Sequence, residues 1–488
     1  MHSKRKNYFL ILCFLSFVPL LPAQLEDWDS DQDAMPNGYE FYRGLNVDDP
    51  RDAWQDPDED GILNIYEYYL GTDPQDKSQP RIVHLEAGED LNAMIRTAER
   101  GTVIRIPTGY YPLNYRHDSQ AEAPRLLLQG GWNTDFTQQD HCRYPTVLSG
   151  EEQGALFDLL ITNGNSTALL IDGCTLQNGS AGAIQLTAYL SKVQLLLANC
   201  RIINNSAHRA SAILNFRDGE NATLISDLIL VNTVLAGNRG TAVRTEQHAT
   251  RTNLKLLHSL VAFNEYADND VAPYSSGHGL DVYPDSDSTF YLQIANSILW
   301  KNANTEFRIG ELEEQTLEVS NTNNLLNFIE EETRQALFAH PSNRSLDPQL
   351  ESDGDLFFRL AATSPAIAAG VDLGFFPASD PDIGTSPCVA PLTTVSAAPE
   401  ATGPTWTLYP NPAQRNLHLS GNLAKSQTVE WYLFDRIGRK ISGRNLGPLP
   451  AGAFHWTLSD NLLLESGIYL LQIKAGKHQQ LKRFTIIR

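Results

Sequence analysis

The chain has 488 residues, enough for about two to four domains and at least one large hydrophobic core. Its formal net charge is −21, and the charge is uneven: residues 24–80 carry a net −13, whereas residues 405–488 carry a net +7. Such an acidic body excludes nucleic acid and anionic membrane surfaces as natural partners. It leaves cations, neutral glycans or basic proteins.

A targeting segment is predicted first along the chain. Three basic residues at positions 4–6 precede an apolar run from Tyr8 to Leu21, and Pro22-Ala23-Gln24 offers a cleavage point. This pattern predicts a secretory signal peptide over residues 1–23, because the run is too short to span a bilayer comfortably. A membrane anchor is the less favoured alternative. No second apolar stretch is long enough to cross a membrane, so we expect no stable transmembrane segment.

Two acidic loops follow, each with the spacing of calcium ligands. In an EF-hand loop, oxygen ligands stand at positions 1, 3, 5, 7, 9 and 12, position 7 supplies its backbone carbonyl, and Gly stands at position 6. The stretch DPDEDGILNIYE, the downstream loop, matches throughout, with the predicted ligands Asp56, Asp58, Asp60, the Ile62 carbonyl, Asn64 and Glu67. The stretch DSDQDAMPNGYE, the upstream loop, begins 27 residues earlier and predicts Asp29, Asp31, Asp33, Asn37 and Glu40. Ala34 replaces the glycine there, so we expect a strained loop.

Together with Gly71-Thr72-Asp73-Pro74, residues 24–80 resemble the thrombospondin type 3-like calcium repeats of bacterial secreted proteins. The resemblance implies bound Ca²⁺. A solvated acidic linker is the alternative. The density of aromatic residues between the acids favours instead a small core that closes once an ion neutralises the carboxylates. Leu63 is expected to turn inward as the apolar anchor. We expect a rigid, calcium-stabilised spacer or cap beside the next domain.

Residues 81–390 read as stacked strands. A short amphipathic stretch with Leu91 and Ile95 on one face predicts a helix that covers the open end of a β-stack. After it, an apolar strand, a turn, a small residue, an apolar pair and an Asn recur at irregular spacing. The closing residues are Asn178, Asn204, Asn238, Asn264 and Asn302. A repeat whose spacing is longer in some copies than in others predicts a parallel β-helix with loops inserted on its rim.

Side chains at equivalent places in such a stack lie above one another. The five asparagines are therefore predicted to form an inward ladder of hydrogen bonds, a structural role. Cys174 and Cys200 occupy one place in adjacent rungs, and stacked thiols are favoured over a disulfide.

The segments GGWNTDFTQQD, PTVLSG, ANSILWKN and SLDPQL resemble right-handed parallel β-helix proteins of the pectate lyase-like group, in a bacterial surface subfamily. The resemblance implies a mainly β fold but no catalytic assignment. Rim loops are expected near residues 205–222 and 265–289. The weak catalytic candidates are Arg209 or Arg244 as a base for β-elimination, Asp281 as a Ca²⁺ ligand, Asp281 with Asp285 as a hydrolytic pair, and His278. Ordinary surface charge is the alternative for each of them.

The last residues form a separate region. A Pro/Ala/Thr/Ser-rich linker is predicted over residues 391–404, followed by alternating strands of a small β-sandwich over residues 405–488. Tyr409-Pro410-Asn411-Pro412 and Gly467-Ile468-Tyr469 resemble the C-terminal sorting domain of type IX secretion in Bacteroidetes. The resemblance implies the type IX machinery as a partner and a secreted or outer-surface location. A glycan-binding sandwich is the alternative.

Three functions remain open from the sequence. The first is an extracellular glycan-binding or adhesion scaffold, which we favour because no catalytic arrangement is visible. The second is a polysaccharide lyase or glycoside hydrolase acting on an acidic polysaccharide. The third is a purely structural surface component.

Overall fold

The computed structural model forms two compact units, Met1–Val389 and Ala390–Arg488. Residues 1–28, and with them the predicted signal peptide, lie outside the part that the structure describes, as do the linker over 391–404 and several loops. The described ranges are 29–117, 124–162, 166–218, 225–248, 251–267, 276–284, 289–309, 317–322, 324–326, 341–352, 358–373, 382–384, 405–409, 417–423, 425–435, 440–457, 464, 467–475 and 478–486.

Three parallel sheets build the first unit, and one strand of each makes a rung. Sheet A consists, in spatial order, of β1 (Arg81–His84), β2 (Thr102–Pro107), β5 (Arg125–Trp132), β8 (Thr167–Asp172), β11 (Val193–Ala198), β14 (Ile225–Val231), β17 (Arg251–Leu257), β20 (Thr289–Ala295) and β23 (Leu317–Thr322). Sheet B consists of β3 (Gly109–Pro112), β6 (Thr146–Ser149), β9 (Cys174–Gln177), β12 (Arg201–Ile203), β15 (Val234–Ala236), β18 (Leu260–Ala262), β21 (Ile298–Trp300) and β24 (Leu325–Leu326). Sheet C consists of β4 (Tyr115–His117), β7 (Phe157–Ile161), β10 (Ile184–Tyr189), β13 (Ser206–Asp218), β16 (Arg239–His248), β19 (Leu280–Pro284) and β22 (Phe307–Ile309). The right-handed parallel β-helix expected from the sequence is confirmed.

Single residues in the left-handed backbone region turn the chain between sheets. Between sheets A and B these are Gly173, Asn199, Asn232, His258 and Asn296, with φ of 47° to 69°. Between sheets B and C they are Asn178, Asn204, Gly237, Phe263 and Lys301, with φ of 54° to 63°. Gly and Asn tolerate this region best, which explains their recurrence at the ends of the apolar strands.

The asparagine ladder forms, but its first two members differ from the prediction. Asn178 and Asn204 are the turn residues just described, and Asn205 takes the inward place. Successive side-chain amides donate to the next rung at 3.1, 3.0 and 2.7 Å, along Asn205, Asn238, Asn264 and Asn302. The Asn302 amide then donates to the buried carboxylate of Glu306. The prediction is wrong at Asn204 because Asn204 and Asn205 are adjacent, and the register of the strands places Asn205 in the interior.

A second ladder of small polar side chains runs along the start of sheet B. The backbone N–H groups of Thr233, Ser259 and Ser297 donate to the side-chain oxygens of the next rung at 2.9 to 3.2 Å. Cys174 and Cys200 hold the equivalent places in the preceding rungs. Both are free, buried thiols, as the stacked arrangement predicts.

The interior of the β-helix is one continuous apolar core of Leu, Ile, Phe, Val and Ala side chains. Helix α3 (Leu91–Thr97) places Leu91 and Ile95 in that core, as the amphipathic pattern predicts. Most of residues 205–222, expected as a rim loop, form the long strand β13 (Ser206–Asp218) instead, so the extra length there extends sheet C.

The acidic segment packs against the outer face of sheet A and covers it, so of the two arrangements expected, a spacer or a cap, the spacer does not apply. Its elements are α1 (Asn37–Arg43), the 3₁₀ helix η1 (Asp52–Trp54) and α2 (Asn64–Leu70). Met35, Ile62 and Tyr69, all fully buried, join one cluster with outward residues of sheet A. Sheet A therefore has apolar side chains on both faces, and the acidic segment supplies the cover for its outer side.

Part of the outer face of sheet B is covered in the same way. Phe358 of the hairpin formed by β25 (Leu350–Ser352) and β26 (Phe358–Leu360), together with Ala366 and Ile383, forms a cluster with Leu260 and Ile298 of sheet B. The C-terminal segment of the first unit thus shields the later rungs of sheet B.

The second unit is an antiparallel β-sandwich with its own core. One sheet has the order β27 (Thr405–Tyr409), β28 (His418–Leu423), β31 (Gly452–Thr457). The other has the order β30 (Lys440–Leu449), β29 (Gln427–Asp435), β32 (Gly467–Ala475), β33 (His478–Ile486). Trp406, Leu419, Trp431, Ile473 and Phe484 are buried between them.

Replacing Asn238 by Ala should destabilise the β-helix by about 3 kcal/mol. The change removes Asn238 Oδ1, which accepts from the Asn205 backbone N–H and side-chain amide, and Asn238 Nδ2, which donates to the Ile202 carbonyl and to Asn264 Oδ1. Each buried group left unsatisfied costs about 1–3 kcal/mol. Denaturant unfolding followed by circular dichroism measures the effect. Asn204→Gly is the matched control, because Asn204 is exposed at φ 54°, and it should shift the midpoint little. Equal midpoints for the two variants would contradict the role of the ladder.

Candidate metal centre and binding face

The two acidic loops share the same pattern of hydrogen bonds over their first seven positions. In the upstream loop, the N–H groups of Asp33 and Ala34 donate to the Asp29 carboxylate at 3.2 and 2.9 Å. In the downstream loop, the N–H groups of Asp60 and Gly61 donate to Asp56 at 3.2 and 2.8 Å. Position 6 has a positive φ in both, 81° at Ala34 and 90° at Gly61, so the alanine stands where only glycine is unstrained.

The upstream loop brings more carboxylates together than its motif contains. Ligand oxygens of Asp29, Asp31 and Asp33 lie within 4.8 Å of one another, and so do those of Asp33, Glu40 and Asp52. Asp52 comes from η1, outside the twelve-residue motif. The predicted ligand Asn37 is engaged elsewhere: its Oδ1 accepts from the Ser30 N–H at 2.8 Å, and its Nδ2 donates to Ser30 Oγ at 2.7 Å.

The downstream loop gathers Asp56, Asp58 and Asp60, whose ligand oxygens also lie within 4.8 Å of one another. Glu67, on α2, is fully buried, and one of its oxygens accepts from Thr72 Oγ1 at 3.3 Å. Asn64 donates its amide to the Asp52 carbonyl at 2.8 Å, and its buried Oδ1 has no donor among the described residues. The side chain at position 7, Ile62, is the buried apolar anchor, while Leu63 is only partly buried, contrary to the expectation for Leu63.

Several buried carboxylate oxygens in these loops have no hydrogen-bond donor within the described part of the chain. They are Asp31 Oδ2, Asp33 Oδ2, both oxygens of Glu40, Asp52 Oδ1, Asp58 Oδ2, Asp60 Oδ2 and Glu67 Oε2. Burial, reinforced by the Asp29 carboxylate, raises the pKa of Asp33 to about 9. Burial raises the pKa of Glu40 to about 8, and the nearby Asp31 carboxylate contributes to the shift. Burial raises the pKa of Glu67 to about 8, and the nearby Asp60 carboxylate contributes to the shift. Such groups require either a proton or a cation near neutral pH.

The β-helix contributes one basic residue to each loop. Lys255 of sheet A donates to the Gln32 carbonyl at 2.7 Å and lies 3.6 Å from Asp29 Oδ2. Arg105 donates to the Asp60 carbonyl at 3.2 Å. Lys77 also donates to the Glu59 carbonyl of the downstream loop at 2.8 Å. One or two basic side chains per loop do not balance four or five carboxylates, so the donor set fits a divalent cation with oxygen preference.

The outer face of sheet C differs from those of sheets A and B. Within the described residues, no apolar cluster of this chain covers it, and its strands alternate between buried and more exposed side chains. We define the open face as the outward residues of sheet C. They are Arg116, Asp158, Leu160, Gln185, Thr187, Tyr189, Leu214, Phe216, Arg244, Glu246, Asp281, Tyr283 and Arg308.

A compact cluster of charges and an aromatic ring lies at one end of the open face. The fully buried carboxylate of Asp281 accepts from Arg244 Nη1 at 3.0 Å and from Arg308 Nε and Nη2 at 2.8 and 2.7 Å. Arg244 Nε also donates to Glu246 at 2.6 Å. Both guanidinium groups lie over the Tyr283 ring, at 4.4 and 5.2 Å from its centroid. Residues more than 60 positions apart in sequence are therefore fixed in one rigid group.

The geometry gives little support to the catalytic candidates from the sequence. Both oxygens of Asp281 are taken by arginines, so Asp281 presents no free oxygen to Ca²⁺, and Arg244 is held by two carboxylates. His278 is buried, with its ring nitrogens 2.8 Å from Thr305 Oγ1 and 3.2 Å from Asn304 Nδ2. Arg209 lies in β13, but its side chain, like the whole of Asp285, falls outside the described part.

Comparison with known proteins identifies the second unit. Residues 407–487 match the family model of the secretion system C-terminal sorting domain. A solved structure titled as that of pectate lyase Pel9A is similar to this chain at 12% identity, with a TM-score of 0.35. The likeness covers 63% of this chain and 96% of the other. Among curated proteins, none matches significantly.

The molecule is thus an exported parallel β-helix protein. Its sorting domain directs it through type IX secretion to the cell surface or the extracellular space, as the sequence predicts. None of the helices in the described ranges has the length and hydrophobicity of a membrane span.

In the presence of EDTA, the acidic segment should lose stability as the pH rises from about 5 to about 9. The folded pKa values of Glu40 and Glu67, about 8, and of Asp33, about 9, lie above those of an unfolded chain. The folded state therefore binds more protons across this window, and raising the pH favours unfolding. Limited proteolysis within residues 29–80 at pH 5, 7 and 9 measures the effect, with cleavage in the sorting domain as internal control. Cleavage that slows as the pH rises would contradict the expectation.

Proposed function

We propose that this protein is an extracellular glycan-binding or adhesion protein, and that the open face of sheet C is its binding surface. The observation that supports this most is the difference between the three sheets. The outer face of sheet A, and the later part of that of sheet B, are covered by segments of the same chain. The open face instead carries aromatic rings and hydrogen-bonding groups on a rigid, regularly spaced scaffold.

The chemistry of the open face suits a neutral or weakly charged polysaccharide. Tyr189 is 40% exposed and packs edge-on against Phe216 at 6.0 Å between centroids. Such rings contact the apolar faces of sugars, while arginine and carboxylate groups exchange hydrogen bonds with hydroxyls. In the cluster around Tyr283, Asp281 and Glu246 balance the charges of Arg244 and Arg308. A strongly anionic polymer would thus find no net positive site there, on a protein of net charge −21.

We infer that the two acidic loops bind Ca²⁺. The loops offer oxygen ligands in the spacing and turn geometry of calcium loops, and several oxygens of their buried carboxylates have no hydrogen-bond donor among the described residues. The bound ion would neutralise the carboxylates and so stabilise the segment that covers sheet A. Calcium outside cells reaches the millimolar range in which extracellular modules bind.

Chelation should loosen the acidic segment and leave the β-helix folded. With EDTA at neutral pH, like charges repel across both loops, so protease should cut within residues 29–80 much faster than in calcium. Mass spectrometry of the fragments identifies the sites. A large fragment beginning near residue 81 should persist, because the rungs are held by their own core. Equal protection with and without EDTA would contradict the calcium assignment.

Binding of the secreted protein to a glycan array should identify neutral or weakly charged ligands. Replacing Tyr283 by Ala should weaken that binding about tenfold, equivalent to about 1.4 kcal/mol, because the ring supports the two arginines of the cluster. Tyr110→Ala is the matched control, since Tyr110 is 45% exposed on sheet B. No ligand at all would favour the purely structural role, and equal losses in both variants would exclude the open face.

Incubation with acidic polysaccharides and calcium tests for the alternative enzymatic role. A steady rise in absorbance near 235 nm, as unsaturated uronate accumulates, would overturn the binding-only interpretation. We expect no such rise, because the described residues of the open face do not place a free base next to an open metal site.

A further inference from the structure

We propose that Asp52, which belongs to neither calcium motif, is a ligand of the upstream ion, and that it couples the two loops. This inference rests on the proposed binding of Ca²⁺. It assigns to the upstream loop a ligand set of Asp29, Asp31, Asp33, Glu40 and Asp52, which differs from the one that the motif spacing predicts.

The position of the Asp52 side chain supports the assignment. Its carboxylate lies within 4.8 Å of ligand oxygens of Asp33 and Glu40, and the three residues are 8%, 2% and 0% exposed. Asp52 Oδ2 accepts from the Asn46 N–H at 2.5 Å, which fixes the side chain. Oδ1, although buried, has no donor among the described residues, and neither oxygen of Glu40 has one. Three buried acids with unpaired oxygens facing one another form a site for a cation.

The upstream loop needs a ligand from outside its motif. Asn37, at position 9, is engaged by Ser30 through both its oxygen and its nitrogen. Asp52 replaces a neutral ligand by a charged one, so five carboxylates surround the upstream ion, against four in the downstream loop. Calcium affinity rises with the charge of the ligand set. The upstream site should therefore bind more tightly, despite the strained Ala34.

The backbone of Asp52 connects this site to the other loop. Its carbonyl accepts from Asn64 Nδ2 at 2.8 Å, and the Gln55 carbonyl, just after η1, accepts from the Asn64 N–H at 2.9 Å. An ion that fixes Asp52 therefore also fixes η1 and the end of the downstream loop. Ordering by the first ion lowers the entropic cost of binding the second, which gives positive cooperativity, and the coupling is reciprocal.

Calorimetric titration of the secreted protein with Ca²⁺ tests the proposal. The wild-type protein should bind two ions cooperatively. Asp60→Asn, which disrupts the downstream loop, isolates the upstream site, and in that background Asp52→Asn should weaken the remaining affinity at least tenfold. In the otherwise wild-type protein, Asp52→Asn should also weaken the downstream ion severalfold. The matched control is Asp48→Asn, which removes the same charge from an exposed neighbour and should leave both affinities nearly unchanged.

A second measurement separates a ligand from a merely structural residue. Without a cation, the Asp52 carboxylate repels those of Asp33 and Glu40, because their ligand oxygens lie within 4.8 Å of one another. Asp52→Asn should therefore leave the resistance of residues 29–80 to protease unchanged or higher in EDTA, but lower it in calcium. Loss of protection in both conditions would assign Asp52 a structural role and overturn the proposal.

The outcomes also separate this inference from calcium binding itself. If the wild-type protein binds no Ca²⁺, the proposed cofactor is wrong and this inference falls with it. If it binds two ions and Asp52→Asn behaves like Asp48→Asn, calcium binding stands and the assignment of Asp52 is wrong.

Discussion

In-register hydrogen bonding between parallel strands is the constraint on which the first unit depends. No rung of three short strands buries its own apolar face, so each is stable only between neighbours. The asparagine ladder makes that register specific. A shift by one residue would break a chain of amide hydrogen bonds that runs from Asn205 to the buried carboxylate of Glu306. Because every amide in the chain points the same way, each hydrogen bond polarises the next, and the carboxylate accepts the last hydrogen bond.

The same stacking creates three long outer faces, which differ in polarity and in whether other segments of the chain cover them. Sheet A is apolar on both sides, so its outer side must be covered, and the acidic segment covers it with Met35, Ile62 and Tyr69. That segment is thus a layer of the domain in which apolar side chains packed on sheet A lie next to clusters of buried carboxylates. Whether the carboxylates are ionised, protonated or bound to a cation therefore affects how well the segment covers the outer face of sheet A. Sheet C alternates in polarity and can face water.

The sequence was sufficient to predict the architecture, because the repeating turn residues and strand lengths are local signals. The acidic loops were predictable for the same reason, since their hydrogen bonds join residues two to five positions apart. That the acidic segment covers the outer face of sheet A was not predicted, although one signal existed. Strands of sheet A such as Val193–Ala198 are apolar at nearly every position, which indicates burial on both faces.

Other features depend on register, which spacing alone does not determine. Arg244, Asp281 and Arg308 meet only because strands of unequal separation align side by side. Asp52 was visible in an acidic run, but its approach to Glu40 requires the intervening turn. The adjacent asparagines at positions 204 and 205 could not be distinguished by pattern, since one suits the left-handed turn and the other the interior.

The packing of the acidic segment on sheet A also sets an order of assembly. The surface that receives it is built from strands β2 to β20, whose residues extend from Val103 to Ala295. Helix α2 packs on β5 and β8, whereas the upstream loop meets Lys255 of β17, which lies 223 residues from Gln32 in the chain. We therefore expect α2 to dock on the early rungs, and the upstream loop to be completed only once the later rungs have stacked.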